Sequence, residues 1–432
     1  MSEISKMIEE LCPDGVEYKK ISEITLSVNI GINPRNFFKL NPPDAKGFYV
    51  TVRELNGLKG VKQYEQTDKI SIEAVNIIQS RANICKGDIL FSNTGTVGKM
   101  ALVLEDPYNW SINEGIYVIK PINKIILSKF LYYFLGSSIA YQNYSKKFTG
   151  STLKHITQKA LLDLEIPVPP LPIQEKIVEI LDKFTELEAE LEAELEARKK
   201  QYEYYRDELL KPDTNIPIVT LKDIATDIYR GSGIKRDQVT EEGIPCVRYG
   251  EIYTTYNTWF DECVSHTKLE CVTSPKYFEY GDILFAITGE STEDIAKSIA
   301  YVGHNKCLAG GDIVILKHNQ NPRYLAHVLT TKSAREQKSK GKVKSKVVHS
   351  SIPAIEKITI PLPPLDVQER YANILDNFEQ ICNNLNIGLP AEIEARKKQY
   401  EFYRDLLLTF AEDGKIILTD RQTDRQTDRW SN

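Results

Sequence analysis

Much that would make this 432-residue chain an enzyme, a membrane protein or an exported one is absent from its sequence. No run approaches the roughly 18 apolar residues of a membrane-spanning helix. The first residues, MSEISKMIEELCPDG, carry three glutamates and no apolar core, so export is not expected. The seven cysteines are odd in number and form no C-x-x-C pair, which predicts reduced thiols rather than a disulfide frame or a zinc site. The six histidines are scattered without an H-E-x-x-H pattern. Asn93–Lys99, NTGTVGK, is too short for a Walker A loop. Pro13, Asp14, Glu17 and Lys19 resemble a nuclease carboxylate–lysine set, but both acids fall on one turn instead of separate strands. Asn41-Pro42-Pro43 is followed by Asp44 where an adenine methyltransferase places a stacking aromatic. No catalysis by this chain alone is expected.

What the sequence does contain is itself, twice. IPVPPLPIQEKIVEILDKF at 166–184 returns as IPLPPLDVQERYANILDNF at 360–378, an offset of 194. EARKKQYEYYRDELL at 196–210 returns as EARKKQYEFYRDLLL at 394–408, with thirteen of fifteen positions identical. GDILF occurs at 87–91 and again at 281–285, and VRELN at 52–56 faces VRYGE at 247–251. Each half is a variable segment closed by a nearly identical one, the pattern of a shared frame carrying two different readers.

The shared segments read as helices. A Pro-rich stop precedes each, and apolar residues then fall at Ile173, Ile177, Ile180, Phe184, Leu187 and Leu191, a coiled-coil spacing. The second copy repeats it at Val367, Tyr371, Ile374, Phe378, Ile381 and Leu385, with a break expected at Gly388 and Pro390. Inside the first helix ELEAELEAELEA has a period of four, so each LEAE unit acts as a spacer of about 6 Å. The variable segments carry short β-rich runs with Gly and Asn turns, followed by a helical stretch, which predicts mixed α+β domains.

A net charge of −5 argues against nucleic acid only if the charge is evenly spread, and six glutamates lie between 186 and 196 alone. Lys338, Lys340, Lys342, Lys344 and Lys346 alternate in KSKGKVKSK; in an extended chain they would form one cationic row suited to a phosphate backbone. The corresponding stretch of the first half, SKKFTGSTLKHI, offers Lys146, Lys147, Lys154 and His155 with Thr149, Ser151 and Thr152. The turns after GDILF are a second candidate surface: Asn93, Thr94, Thr96 and Lys99 in one copy, Thr288, Glu290 and Ser291 in the other. They occupy equivalent places with different donors and acceptors, as base readout requires. Arg230, Lys235 and Arg236 in YRGSGIKRD are a third. Tyr202, Tyr205, Tyr400 and Tyr403 fall at helical spacing, which suits packing between helices or the docking of a partner protein. The rival reading of the lysines is that they only solubilise a coiled-coil scaffold.

CPDGVEYKKISEI, the paired GDIL turns, PxPPLxxQExI with LDxF, and EARKKQYExYRDxLL together resemble the specificity subunit of a type I restriction–modification enzyme, over about residues 1–410. The resemblance implies an α+β fold with two mixed α/β target-recognition domains joined by two long antiparallel coiled-coil helices and a pseudo-two-fold internal repeat. On the sequence the parts are a first recognition domain at 1–165, a central spacer helix at 166–211, a second recognition domain at 212–359, a distal spacer helix at 360–410 and a polar, disordered tail at 411–432. The tail's TDRQTDRQTDR can be written in DNA as repeated ACAG, a tract prone to slippage. The resemblance further implies a subunit without catalysis or a bound cofactor of its own. It implies reading of double-stranded DNA in two halves, and docking of two methylation subunits using S-adenosylmethionine and two restriction subunits using ATP and Mg²⁺. Its place would be the bacterial or archaeal cytoplasm, at the nucleoid, with no membrane contact.

Overall fold

A computed structural model describes residues 2–33, 38–150, 153–340, 347–383 and 388–410. The predicted disordered tail at 411–432, together with Ser151, Thr152, Lys342, Lys344, Lys346 and Leu385, lies outside the described residues. The chain divides into two compact units, Met1–Glu190 with Ile393–Asn432, and Leu191–Glu392. No helix among the described residues is long and apolar enough to cross a membrane.

GDILF explains the centre of each unit. Ile89–Ser92 and Ile283–Ala286 are buried at every position, because each strand lies between two cores. Ile89 and Phe91 face one apolar cluster with the helix Ser128–Leu135, while Leu90 faces another with the helix Ile72–Ala82. Ile283 and Phe285, against Leu284 and Ala286, divide in the same way. A strand covered on both faces needs a continuous apolar run, which is what GDILF supplies.

In the first unit the sheet order is Thr25–Ile30, Ile116–Pro121, Ile89–Ser92, Met100–Leu102, all antiparallel. The second unit repeats it with Ala225–Arg230, Ile313–His318, Ile283–Ala286 and Ser298–Tyr301, then adds Trp259–Phe260 in parallel. The GD aspartate is structural in both. Asp88 caps the turn through the Cys85 N–H and accepts from Lys120 Nζ at 2.6 Å; Asp282 accepts from the Glu279 N–H and from Lys317 Nζ at 3.0 Å. Burial pushes both carboxyls above the usual carboxylate range, against the pull of their lysines. Each domain is closed by its own ends: Tyr18–Lys20 pairs antiparallel with Glu165–Pro167, and Ile218–Thr220 with Thr359–Pro361.

The repeated helical motifs clasp these domains. Gln174 and Gln368, from the Q of PPLxxQE, are fully buried. Each accepts a backbone N–H from the start of a domain helix, Leu127 at 2.9 Å and Asn321 at 3.0 Å, and donates to a carbonyl of its own Pro-rich stop. The aspartates of LDxF follow the same rule. Asp182 holds Lys129 Nζ and Tyr133 OH at 2.6 and 2.8 Å; Asp376 holds Arg323, His327 Nε2 and Trp259 Nε1 at 2.6, 2.7 and 2.8 Å. Asp376 and Glu379 with His327 are the nearest approach to a metal-ligand set among the described residues. Asp376 is already held by the Arg323 guanidinium, and Glu379 accepts from Thr258.

The helix Leu171–Leu209 is continuous over 39 residues, about 58 Å. In the first unit it runs antiparallel to Gly388–Leu407: Phe184 stacks on Tyr403 with ring centroids 5.5 Å apart, and Glu188 meets Lys397 at 3.6 Å. In the second unit Tyr202 is linked to Asp376 of the helix Leu365–Asn383 through His327, whose Nδ1 meets the Tyr202 hydroxyl at 3.2 Å and whose Nε2 meets Asp376 at 2.7 Å. The seam expected on Leu365–Asn383 is only partly buried. Ile374, Phe378 and Ile381 are 45, 43 and 52% exposed, while Gln368, Ala372, Leu375 and Asp376 are buried. The anchoring of Gln368 and Asp376 to the domain turns that face inward.

Candidate nucleic-acid interface

The sheet order decides where the candidate residues meet. Thr25–Ile30 and Ile89–Ser92 each pair antiparallel with the strand between them, so their C-terminal ends lie at one end of the sheet. The loop after Ile30, the turn Asn93–Lys99 and the approach Asn113–Gly115 therefore converge. Gly31 belongs there because a Cβ would stand 2.3 Å from the carbonyl oxygens of Ile112 and Asn113. Gly231 is its counterpart, with 2.2 Å to Gly310 O.

The turn and the cationic segment, separate candidates in the sequence, are joined. In the first unit Gly95 N–H donates to Lys154 O at 2.8 Å, Ile156 N–H to Asn93 O at 3.0 Å, and Thr94 Oγ1 meets His155 Nδ1 at 2.9 Å. In the second, Thr288 and Gly289 pair with His349 and Val348, Ser350 N–H donates to Ile287 O at 2.8 Å, and Thr288 Oγ1 meets His349 Nδ1 at 3.2 Å. Thr94 and Thr288, like His155 and His349, are 194 residues apart. His349 escaped the sequence reading because VVHSSI has little in common with LKHITQ; its position relative to GDILF was the available signal.

Not every candidate faces outward. Thr96, Lys146, Thr149, Lys154, Lys235, Arg236 and Glu290 are exposed. Asn93 is fully buried, donating through Nδ2 to Glu114 O at 3.0 Å. Lys99 reaches Arg53 O at 3.2 Å, and Lys147 turns to the carbonyls of Ala160 and Asp163 at the end of the helix Gln158–Leu162. Ser291 accepts from the Glu293 N–H, and Arg230 is paired with Asp312 at 2.7 Å.

The lysine row does not begin as an extended cationic edge. Lys338 is not extended but lies in the helix Lys332–Ser339, buried, with Nζ on Ser298 Oγ at 2.9 Å and Leu329 O at 2.8 Å, over the Phe285 ring. Burial, helped by Arg335, pushes its amine down to about 7. Lys340 is exposed just past the helix end.

The tyrosines also resolve into different roles. Tyr202 donates to or accepts from His327 Nδ1 at 3.2 Å and joins the core of the second unit; Tyr400 packs on the core of the first, and Tyr403 stacks on Phe184. These three are half-buried and make internal contacts. Tyr205 is 51% exposed. The adjoining Arg-Asp pairs explain the identity of the motif. Arg206 lies over Tyr202 and Arg404 over Tyr400. Asp207 accepts the N–H of Lys332, and Asp405 that of Ser138, each at 3.2 Å. Each aspartate thus caps a domain helix at its first turn, where the helix dipole favours a carboxylate.

The model of the type I restriction modification DNA specificity domain matches residues 13–197 and 215–395. A Haemophilus influenzae protein described as a type I restriction enzyme specificity subunit is 30% identical over 340 residues, covering 73% of this chain and 83% of that one. The specificity subunit of an Escherichia coli type I restriction enzyme is 30% identical over 309 residues, covering 67% and 72%. A chain from a solved type I restriction–modification assembly shares the fold, with a TM-score of 0.61 at 18% identity over 92% of this chain and 98% of that one. With two matched domains built on one plan, this chain belongs to the type I restriction–modification DNA specificity family, the non-catalytic specificity subunits of those systems.

Proposed function

We propose that each unit reads one half of a split DNA sequence, and that the helices between them hold the two readings at a set spacing. The observation that carries this is the repeated construction at the sheet end. A threonine–histidine bond joins a glycine turn to a second segment in both units, while the neighbouring residues differ in donors, acceptors and charge. A constant support with altered surface chemistry is how one scaffold reads two sequences. Exposed Lys146, Lys154, Lys235, Arg236 and Lys340 supply phosphate contacts. The chain binds no cofactor itself. It docks two methylation subunits, which bring S-adenosylmethionine, and two restriction subunits, which bring ATP and Mg²⁺, in the cytoplasm at the nucleoid.

The test is to sequence modified bases in the native genome with and without this gene. Loss of N6-methyladenine from one two-part motif is the expected result. With a methylation subunit shown to be active, an unchanged pattern would overturn the reading.

A further inference from the structure

We propose that His155 is a specificity-determining residue of the first domain, presenting Nε2 to DNA as a hydrogen-bond acceptor for the exocyclic amino group of adenine or cytosine. This rests on the DNA-reading role proposed above and names one of its contacts.

One chain of hydrogen bonds fixes where each proton sits. The Glu114 carbonyl can only accept, so buried Asn93 turns its amide NH₂ toward it, at 3.0 Å. That leaves Asn93 Oδ1 as an acceptor facing Thr94 Oγ1, 2.6 Å away. A hydroxyl has one proton, and Thr94 spends it on Asn93. The remaining contact, Thr94 Oγ1 to His155 Nδ1 at 2.9 Å, then requires the proton on Nδ1. A neutral imidazole carries only one N–H, so Nε2 keeps its lone pair.

The ring's backbone is held on both sides. His155 exchanges backbone hydrogen bonds with Thr149 at 2.8 and 2.9 Å, and its neighbours bond to Asn93 and Gly95. Such a support positions a reading group without an ordering cost at binding. In the major groove the groups that donate to an acceptor are the amino groups of adenine and cytosine. The second domain differs: Ile287 stands where Asn93 does, so Thr288 has no side-chain amide beside it and, among the described residues, Thr288 Oγ1 meets only His349 Nδ1. Two domains with the same Thr–His pair thereby differ at one buried residue that sets the proton's place.

Two measurements test this. In the full chain labelled with ¹⁵N-histidine, long-range ¹H–¹⁵N correlations at pH 8 should show one Nδ1–H tautomer, absent in His155→Gln and shifted in Thr94→Val. Finding His155 in the Nε2–H form would overturn the proposal without involving DNA. In cells carrying the active methylation subunit, His155→Arg replaces an acceptor with donors. It should change the preferred base pair at one position of one half-site by about tenfold or more, leaving the other half-site and the spacing intact. His155→Gln, which can still accept, should keep the original base. A wild-type motif left unaltered by His155→Arg would refute the role of His155 alone. A wild-type chain with no motif would refute DNA reading itself. Should the arginine variant modify nothing, the tautomer and the glutamine variant decide.

Discussion

At the scale of single residues, function and framework are distinguished by where a side chain's polar atoms end. Lys338 and Lys154 look alike in a list of cations, yet one ammonium is satisfied inside the second unit and the other is exposed. The buried one makes a pH-dependent contribution of definite sign. Unfolded, Lys338 titrates near its ordinary value; folded, it titrates at about 7. Below pH 7 both states hold the proton and the cost of the buried charge is fully present. Between pH 7 and about 10.4 the unfolded state holds more protons, so stability rises with pH. In Lys338→Met the increase in urea midpoint from pH 6 to pH 9 should be smaller than in the wild type, by roughly 1 kcal/mol or more in unfolding free energy. An equal increase in both proteins would contradict this. The capping aspartates give a second prediction. Asp207→Asn and Asp405→Asn should each cost about 1 kcal/mol, and hydrogen exchange should quicken first in Lys332–Ser339 for one and in Ser138–Ser145 for the other.

At the scale of elements, the helix Leu171–Leu209 is the one whose length has consequences. Glu190, Glu192, Glu194 and Glu196 of its LEAE units are exposed and lie between the anchored stretches, so one unit can be removed without touching Gln174, Asp182 or Asp207. Removing LEAE shortens the helix by about 6 Å, just under two base-pair rises of 3.4 Å. The modified motif should keep both half-sites and shorten its spacer by one or two base pairs, read by modified-base sequencing. The glycines at the sheet end make the opposite point, since they tolerate nothing. Gly231→Ala places a methyl group against Gly310 O, and the second half-site should be lost or relaxed while the first is retained.

At the scale of the whole molecule, an acidic chain that binds DNA must do so through local clusters. Counterion release then governs affinity, and log K should fall linearly with log salt for the assembled complex on its target. Lys154→Ala should reduce the slope by about one and weaken all sequences alike, whereas substitutions at His155 should act on one base pair. A salt-independent affinity would favour the scaffold reading, in which the lysines only solubilise. Exchange of the segment 212–361 between two chains of this kind, which takes both closing strands with it, should exchange one half-site only, because those strands pair with each other and not with the rest of the chain.

How much could be read in advance depended on whether the interaction was local or repeated. The duplication, the absence of catalytic motifs and the helical nature of the PPL–Q–E and ARKKQY segments follow from the sequence, because each rests on spacing or identity along the chain. GDILF announced its strand for the same reason: burial on both faces demands an unbroken apolar run. The joining of Thr94 to His155, the inward turn of Lys147 and Lys338, and the helix caps at Asp207 and Asp405 were decided only by the tertiary structure. Each is a hydrogen bond between groups far apart in the chain, and its formation depends on which carbonyl or hydroxyl the folded backbone brings within 3.5 Å. Composition records that a lysine or histidine is present; only the fold determines whether its nitrogen is left for DNA or already satisfied within the protein.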